Sequence, residues 1–147
     1  MGLFEGKKGL ILGVANDRSI AFAIARQIMA EGGACGFTHL PDRPDDARKK
    51  NRARVEKLFS KDNSPGEPAF LVPMNVSNDD DIASVMETAK SEFGTIDFLL
   101  HSIAYADRGD LNDTIDVSRE GFKMAMDISC YSLIALSRAA RPILSEN

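Results

Sequence analysis

The stretch Lys8-Gly9-Leu10-Ile11-Leu12-Gly13-Val14-Ala15-Asn16-Asp17-Arg18-Ser19-Ile20 decides how the rest of the chain is read. Leu10 to Leu12 is apolar with no polar alternation, the pattern of a strand covered on both faces. Gly13 closes that run. Ser19 then opens a helical pattern in which Ile20, Ile24 and Ile28 share one face, with Ala21 and Ala25 beside them. A buried strand, a short glycine-led turn and an amphipathic helix are the first half of a βαβ unit.

Outward from there the same alternation repeats. The first helix is expected to stop at Gly32-Gly33, residues suited to a left-handed cap. Ala34 to Thr38 reads as a second strand, followed by the turn-forming pair Pro41-Asp42. Asp45 to Phe59 reads as a charged surface helix with Ala47, Val55, Leu58 and Phe59 free to pack, and Asn63-Ser64-Pro65-Gly66-Glu67-Pro68 as a loop. Ala69 to Val72 is a third strand. Asn78 is placed to cap a helix whose first turn carries Asp79, Asp80 and Asp81 and which runs to Phe93 before Gly94. Asp97 to Ser102 is a fourth strand, residues 105–117 a polar loop, and Ser118 to Leu144 a long helix.

Strand and helix in strict alternation indicate an α/β protein with a doubly wound parallel sheet, Rossmann-like, and right-handed crossovers favour the strand order 3-2-1-4. Residues 1–147 are read as one dinucleotide-binding domain. The fourth strand would lie at the sheet edge, yet its end, His101-Ser102-Ile103-Ala104, suits an interior position. The chain is therefore expected to stop short of the remaining strands.

The totals exclude several classes of function. A net charge of −4 argues against nucleic acid or an anionic membrane as partner. No apolar run approaches the roughly 20 residues a membrane span needs, and Met1 to Lys7 lacks a signal-peptide core. Cys35 and Cys130 have no metal-ligand spacing and read as free, buried thiols of a reducing, cytoplasmic setting. Between Arg43 and Lys57 there are seven basic and three acidic side chains, which a solvated helix face explains without a partner; docking of an acidic partner protein, which would be salt-sensitive, is the alternative.

In a doubly wound sheet, ligands bind outside the carboxyl ends of the strands where the strand order reverses, here at the turn from Gly13 to Ile20. Gly13 has no Cβ to hold a ligand away. Ser19 stands at the mouth of a helix whose free amides and positive dipole end favour a pyrophosphate. The turn lacks the G-x-G-x-x-G fingerprint, so on its own it reads equally well as an ordinary capped turn.

More specific signals lie in the order of further stretches. Gly13-Val14-Ala15 with Ser19-Ile20, Phe37-Thr38-His39, Asn75-Val76, His101-Ser102-Ile103-Ala104-Tyr105-Ala106, Ser118-Arg119-Glu120-Gly121-Phe122-Lys123 and Asp127-Ile128-Ser129-Cys130-Tyr131-Ser132 follow one another along the chain. Together they resemble the enoyl-acyl-carrier-protein reductases, a divergent branch of the short-chain dehydrogenases.

The resemblance implies reduction of the C2=C3 bond of a trans-2-enoyl thioester on acyl carrier protein, by NADH with NADPH as the alternative, in a cytoplasmic homotetramer. It implies that Gly13, Ala15, Ser19 and Ile20 meet the pyrophosphate side and that Leu40, Asn75 and Val76 flank the adenine. Ser102, Ile103 and Ala104 would lie against the ribose-nicotinamide half, and Ala106 would leave room for the substrate. Leu40 and Asn75 depart from the family, which often has a polar residue and an Asp there. His39 and Arg43 are near enough in sequence to attract a 2′-phosphate. NADH is the expected donor because no Arg directly follows the second strand.

The family's Tyr-x6-Lys catalytic pair has no match here. Only Tyr105 and Tyr131 are present, and Asn112 and Arg138 stand where the lysine would be, so no catalytic residue is assigned. His101 reads as structural. The apolar stripe from Phe122 through Leu133 and Ile134 to Ala140 is read as part core and part subunit contact. A related short-chain ketoreductase and a non-catalytic nucleotide-binding module remain the alternatives.

Overall fold

The computed structural model describes residues 2–60 and 64–146, so Asn63 of the expected loop and the terminal residues Met1 and Asn147 lie outside the described residues. Four parallel strands, β1 (Lys8–Leu12), β2 (Ala34–His39), β3 (Phe70–Pro73) and β4 (Phe98–His101), form one sheet in the expected order β3-β2-β1-β4. β1 is central, with Leu10 opposite Gly36 of β2 and Leu99 of β4.

Side chains alternate across a strand, so the apolar run of β1 feeds both faces. Ile11 packs with Cys35 and Phe37 beneath α1 (Ile20–Ala30) and α2 (Lys50–Phe59). Leu10 and Leu12 pack on the opposite face against α3 (Asp79–Phe93) and α5 (Ser132–Ala140). Leu10, Ile11 and Leu12 have no solvent exposure, and each such side chain contributes roughly 1.5–3 kcal/mol of transfer energy. The strand is buried as its sequence required.

α1 lies differently from the expected face. Ala21, Phe22, Ala25 and Ile28 are buried, whereas Ile20 and Ile24 are exposed. The two alanines at i and i+4 let the helix sit close to the sheet, which turns Ile20 out towards the carboxyl end. α3 matches its reading: the Asn78 side chain accepts from the amides of Asp80 and Asp81, and the helix ends at Gly94 with φ +76°.

The charged helix begins at Lys50 rather than Asp45. Pro41 and Pro44 have no N–H to give, Lys49 is left-handed at φ 44°, and Ala47 stays exposed. The opening amides of α2 are taken from a distance: the Asp42 carboxylate accepts from Asn51 at 2.6 Å and Arg52 at 3.3 Å, and Asp46 accepts from Lys50 at 3.3 Å. Phe59, at its far end, closes the core edge-on to Phe22.

The final helical stretch is also interrupted. α4 (Arg119–Met126), whose start is capped by Ser118, passes through one π turn (Asp127–Tyr131) before α5. Cys130 falls on this wider turn and is exposed, against expectation; Cys35 is buried, its thiol pushed up to about 12 by desolvation, and both are free. Past α5, Leu144 pairs in parallel with Ile96, so the segment leaving the helix already meets the outer side of the sheet at the entry to β4. Among the described residues no helix is long and apolar enough to cross a membrane.

Candidate functional site

The chain winds from β1 through β2 to β3 on one side and then crosses to β4 on the other, so the strand order reverses between β1 and β4. At the carboxyl end of that reversal lies a cleft of about 540 Å³. Gly13 sets its floor, with φ +100° and its Cα against the Ser102 carbonyl; a Cβ there would overlap that oxygen. The β1 and β4 exits can approach this closely only because position 13 is glycine.

Around the floor stand Val14 and Ala15, the β2 end from Thr38 to Leu40, Met74 to Val76 after β3, Ser102 to Tyr105 after β4, Asn51, Arg54 and Val55 from α2, and Ile128 from the π turn. Eight sequence-assigned residues (Gly13, Ala15, Leu40, Asn75, Val76, Ser102, Ile103 and Ala104) thus line one cavity. Ser19, Ile20 and Ala106 stand outside the lining, Ala106 half-buried one residue past Tyr105.

Ser19 does not cap α1. Its hydroxyl turns back and accepts from the amides of Ala15 and Asn16, both at 3.0 Å, which holds the turn in shape. No side chain therefore caps the amides of Ile20 and Ala21, while the Phe22 amide donates to the Ser19 carbonyl at 3.0 Å; a helix end in that state attracts an anion. Asn75 is likewise part of a built turn: its side-chain oxygen accepts from Ser77, and its amide is held by Asp81. Its NH2 is the end that can donate to a ligand.

Two histidines flank the cleft and neither is placed for proton transfer. Ser132 gives its hydroxyl proton to the Ile128 carbonyl at 2.7 Å, so the His101 contact at 2.7 Å is Nε2–H donating to that hydroxyl. Burial holds the His101 pKa below its usual value, and the ring ties β4 to α5 in its neutral form. His39 uses Nδ1–H on the Leu40 carbonyl at 2.9 Å, and its Nε2 is buried with no protein partner among the described residues.

Sequence reasoning missed Asn51, Arg54, Tyr105 and Ile128. Ile128 reaches the cleft because the π turn rotates it there, while Ser129 clasps the backbone of Tyr105, accepting from its N–H at 3.0 Å and donating to its carbonyl at 3.2 Å. Such a turn leaves no periodic signal in a sequence. Arg43 is not among the cleft's lining residues: with Lys49 and Arg52 it borders a separate hollow of about 360 Å³ that shares His39 with the cleft.

The family model of enoyl-(acyl carrier protein) reductases matches residues 13–147. The chain belongs to this family. It is 42% identical to the enoyl-acyl-carrier-protein reductase (NADH) FabI of Nostoc sp. over 96% of its own length and 52% of that protein. The crystal structure of the Aquifex aeolicus VF5 reductase (NADH) superposes with a TM-score of 0.85 at 41% identity, covering 99% of this chain and 54% of that one.

An Anaplasma phagocytophilum enoyl-acyl-carrier-protein reductase solved with NAD gives 0.83 at 32% identity, over 97% of this chain and 51% of that one. A Bacillus cereus enoyl-acyl-carrier-protein reductase solved with NADP+ and indole naphthyridinone gives 0.78 at 36%, over 98% and 53%. Homologous structures in the enoyl-acyl-carrier-protein reductase family thus bind either dinucleotide. The chain spans about half the length of the curated relatives it matches.

Proposed function

We propose that this chain forms the cofactor-binding part of an enoyl-acyl-carrier-protein reductase, which reduces the C2=C3 double bond of a trans-2-enoyl thioester carried on acyl carrier protein. The supporting observation is the cleft at the β1–β4 reversal, where eight residues assigned from the sequence line a single cavity in a protein of this family. The donor is NADH, the cofactor in the relatives' names, with NADPH as a second donor. Acting in the cytoplasm, the enzyme is a homotetramer in which the exposed Phe122, Met126, Leu133 and Ile134 of α4 and α5 meet another subunit.

Each part of the cleft has a task in this reading. Gly13 admits the pyrophosphate to the uncapped start of α1, and Ser19 keeps the Ala15–Asn16 turn from closing over it. Leu40 and Val76 flank the adenine, and Asn75 offers it a donor. Ser102, Ile103 and Ala104 carry the ribose-nicotinamide half. Ala106, with a small side chain beyond Tyr105, leaves space for the thioester.

When bound, the reduced nicotinamide supplies a hydride to C3 of the enoyl group. Negative charge then develops on the thioester oxygen and requires a hydrogen-bond donor. The resemblance assigns that donor to a Tyr-x6-Lys pair, which these 147 residues do not contain. The role of this chain is accordingly to bind and orient. Calorimetry with NADH tests it: saturable binding lost in Gly13→Val, with no reduction of crotonyl thioester by the 147 residues alone, is the expected result, and absence of binding refutes it.

A further inference from the structure

We propose that Arg54 on α2 grips the 2′-phosphate of NADPH and so determines how the protein divides its use between the two dinucleotides. The inference rests on the reading of the cleft as a dinucleotide site. In doubly wound enzymes specific for NAD, an acidic residue after the second strand bonds the ribose 2′-hydroxyl and repels a phosphate, whereas an Arg nearby accommodates one. The β2 end here reads Thr38-His39-Leu40, with no carboxylate, and the Leu40 side chain is exposed and has nothing to donate or accept.

The cation comes instead from the helix beside it. Arg54 and Asn51, one turn apart, line the cleft next to Leu40. Arg54 makes no ion pair among the described residues, whereas its neighbour Arg52 holds Glu56 at 2.7 Å. The sequence explains the difference: the positions three and four residues from Arg54 are Lys50, Asn51, Lys57 and Leu58, none of them acidic.

The guanidinium therefore sits unneutralised among like charges, a setting that a dianion relieves. The helix that carries it is fixed in place. Val55 is buried, the Asn51 amide is held by Asp42, and the Asn51 side chain donates to the Pro41 carbonyl at 3.0 Å, so the start of α2 cannot roll away from β2.

The test titrates the protein and its Arg54→Gln and Arg54→Lys variants with AMP, adenosine 2′,5′-bisphosphate, NADH and NADPH. Gln keeps helix propensity and removes the charge. The expected result is that Arg54→Gln lowers the affinity ratio of NADPH to NADH, and of bisphosphate to AMP, by roughly ten- to a hundredfold, with part of the loss restored by Lys. An unchanged ratio overturns the proposal, including the case where all four ligands weaken equally because Arg54 stacks on adenine. So does a protein that binds NADH and AMP but neither 2′-phosphorylated ligand. Failure of all four ligands to bind removes the dinucleotide reading itself.

Discussion

At the amino end of the sheet, Asp97 accepts from the Lys8 amide at 2.9 Å, from the Lys7 ammonium at 3.0 Å and from the Ser145 hydroxyl at 3.2 Å, which gathers β1, the entry to β4 and the segment after α5 around one carboxylate. At the carboxyl end, among the described residues, no single carboxylate gathers the strand ends in this way; the ties there are pairwise, His101 to Ser132 and Ser129 to Tyr105. Gly13 replaces a side chain with a close backbone approach, Ser19 folds back on its own turn, and α1 starts uncapped. At one end several elements share one carboxylate; at the other the polar groups pair locally, within turns and between neighbouring elements, around a cleft. A fold can hold a site open at one end of its strands because the opposite end is tied shut.

The largest effect that sharpens this contrast is expected from Gly13→Val. The left-handed φ and the overlap with the Ser102 carbonyl together cost about 3 kcal/mol, read as a lowered urea midpoint, and dinucleotide binding disappears with the floor of the cleft. Asp97→Ala is the converse. It orphans the Lys8 amide and costs about 2 kcal/mol in the same unfolding measurement, while the NADH affinity of the folded fraction stays as it was. If Asp97→Ala weakened binding as much as it weakened the fold, the two ends would not be separable.

The helix entries give a finer version of the comparison. Asn78→Ala removes a cap that accepts from two amides and is expected to cost about 1 kcal/mol of stability with no change in NADH affinity. Ser19→Ala, which loosens the turn at Ala15 and Asn16, is expected to lower affinity tenfold or so at a similar cost in stability. Equal behaviour of the two variants in calorimetry would mean that α1 and α3 start in the same way.

A smaller effect concerns pH. Its amide and lysine partners hold the Asp97 carboxyl below the ordinary carboxylate range. Its stabilisation is then complete above the unfolded value of about 4 and is lost as pH falls through the folded one. Burial holds His101 below its ordinary value, so the unfolded chain takes up a proton that the folded chain resists, and stability falls as pH drops below about 6.5. Two separate steps are expected in stability against pH, and Asp97→Asn should flatten only the acidic one.

Most of the fold was legible because its signals are local. Leu10 to Leu12 can only be a strand buried on both faces, Asn78 with three aspartates can hardly be other than a helix start, and Gly13 and Gly94 mark the turns that need them. What escaped depends on contacts distant in sequence. α2 begins at Lys50 because Asp42 reaches nine residues forward, and no propensity reports that.

The π turn at Asp127 to Tyr131, and with it the exposure of Cys130 and the arrival of Ile128 in the cleft, goes with Ser129 and Ser132 meeting partners on the β4 exit. The place of Arg54 in the cleft lining beside Leu40 has the same origin. Arg43 is nearer in sequence, but the Asp42-anchored helix presents Arg54 to the cleft, and only the missing acid at its helical neighbours hinted at a side chain left unpaired.

Backbone amide chemical shifts recorded while NADH is added test the central claim most directly. The largest changes are expected at Ala15, Asn16 and the first turn of α1 from Ile20 to Phe22, with Lys8 and Asp97 at the other end of the sheet unmoved. Shifts centred away from that turn, or no shifts at saturating NADH, would contradict the account.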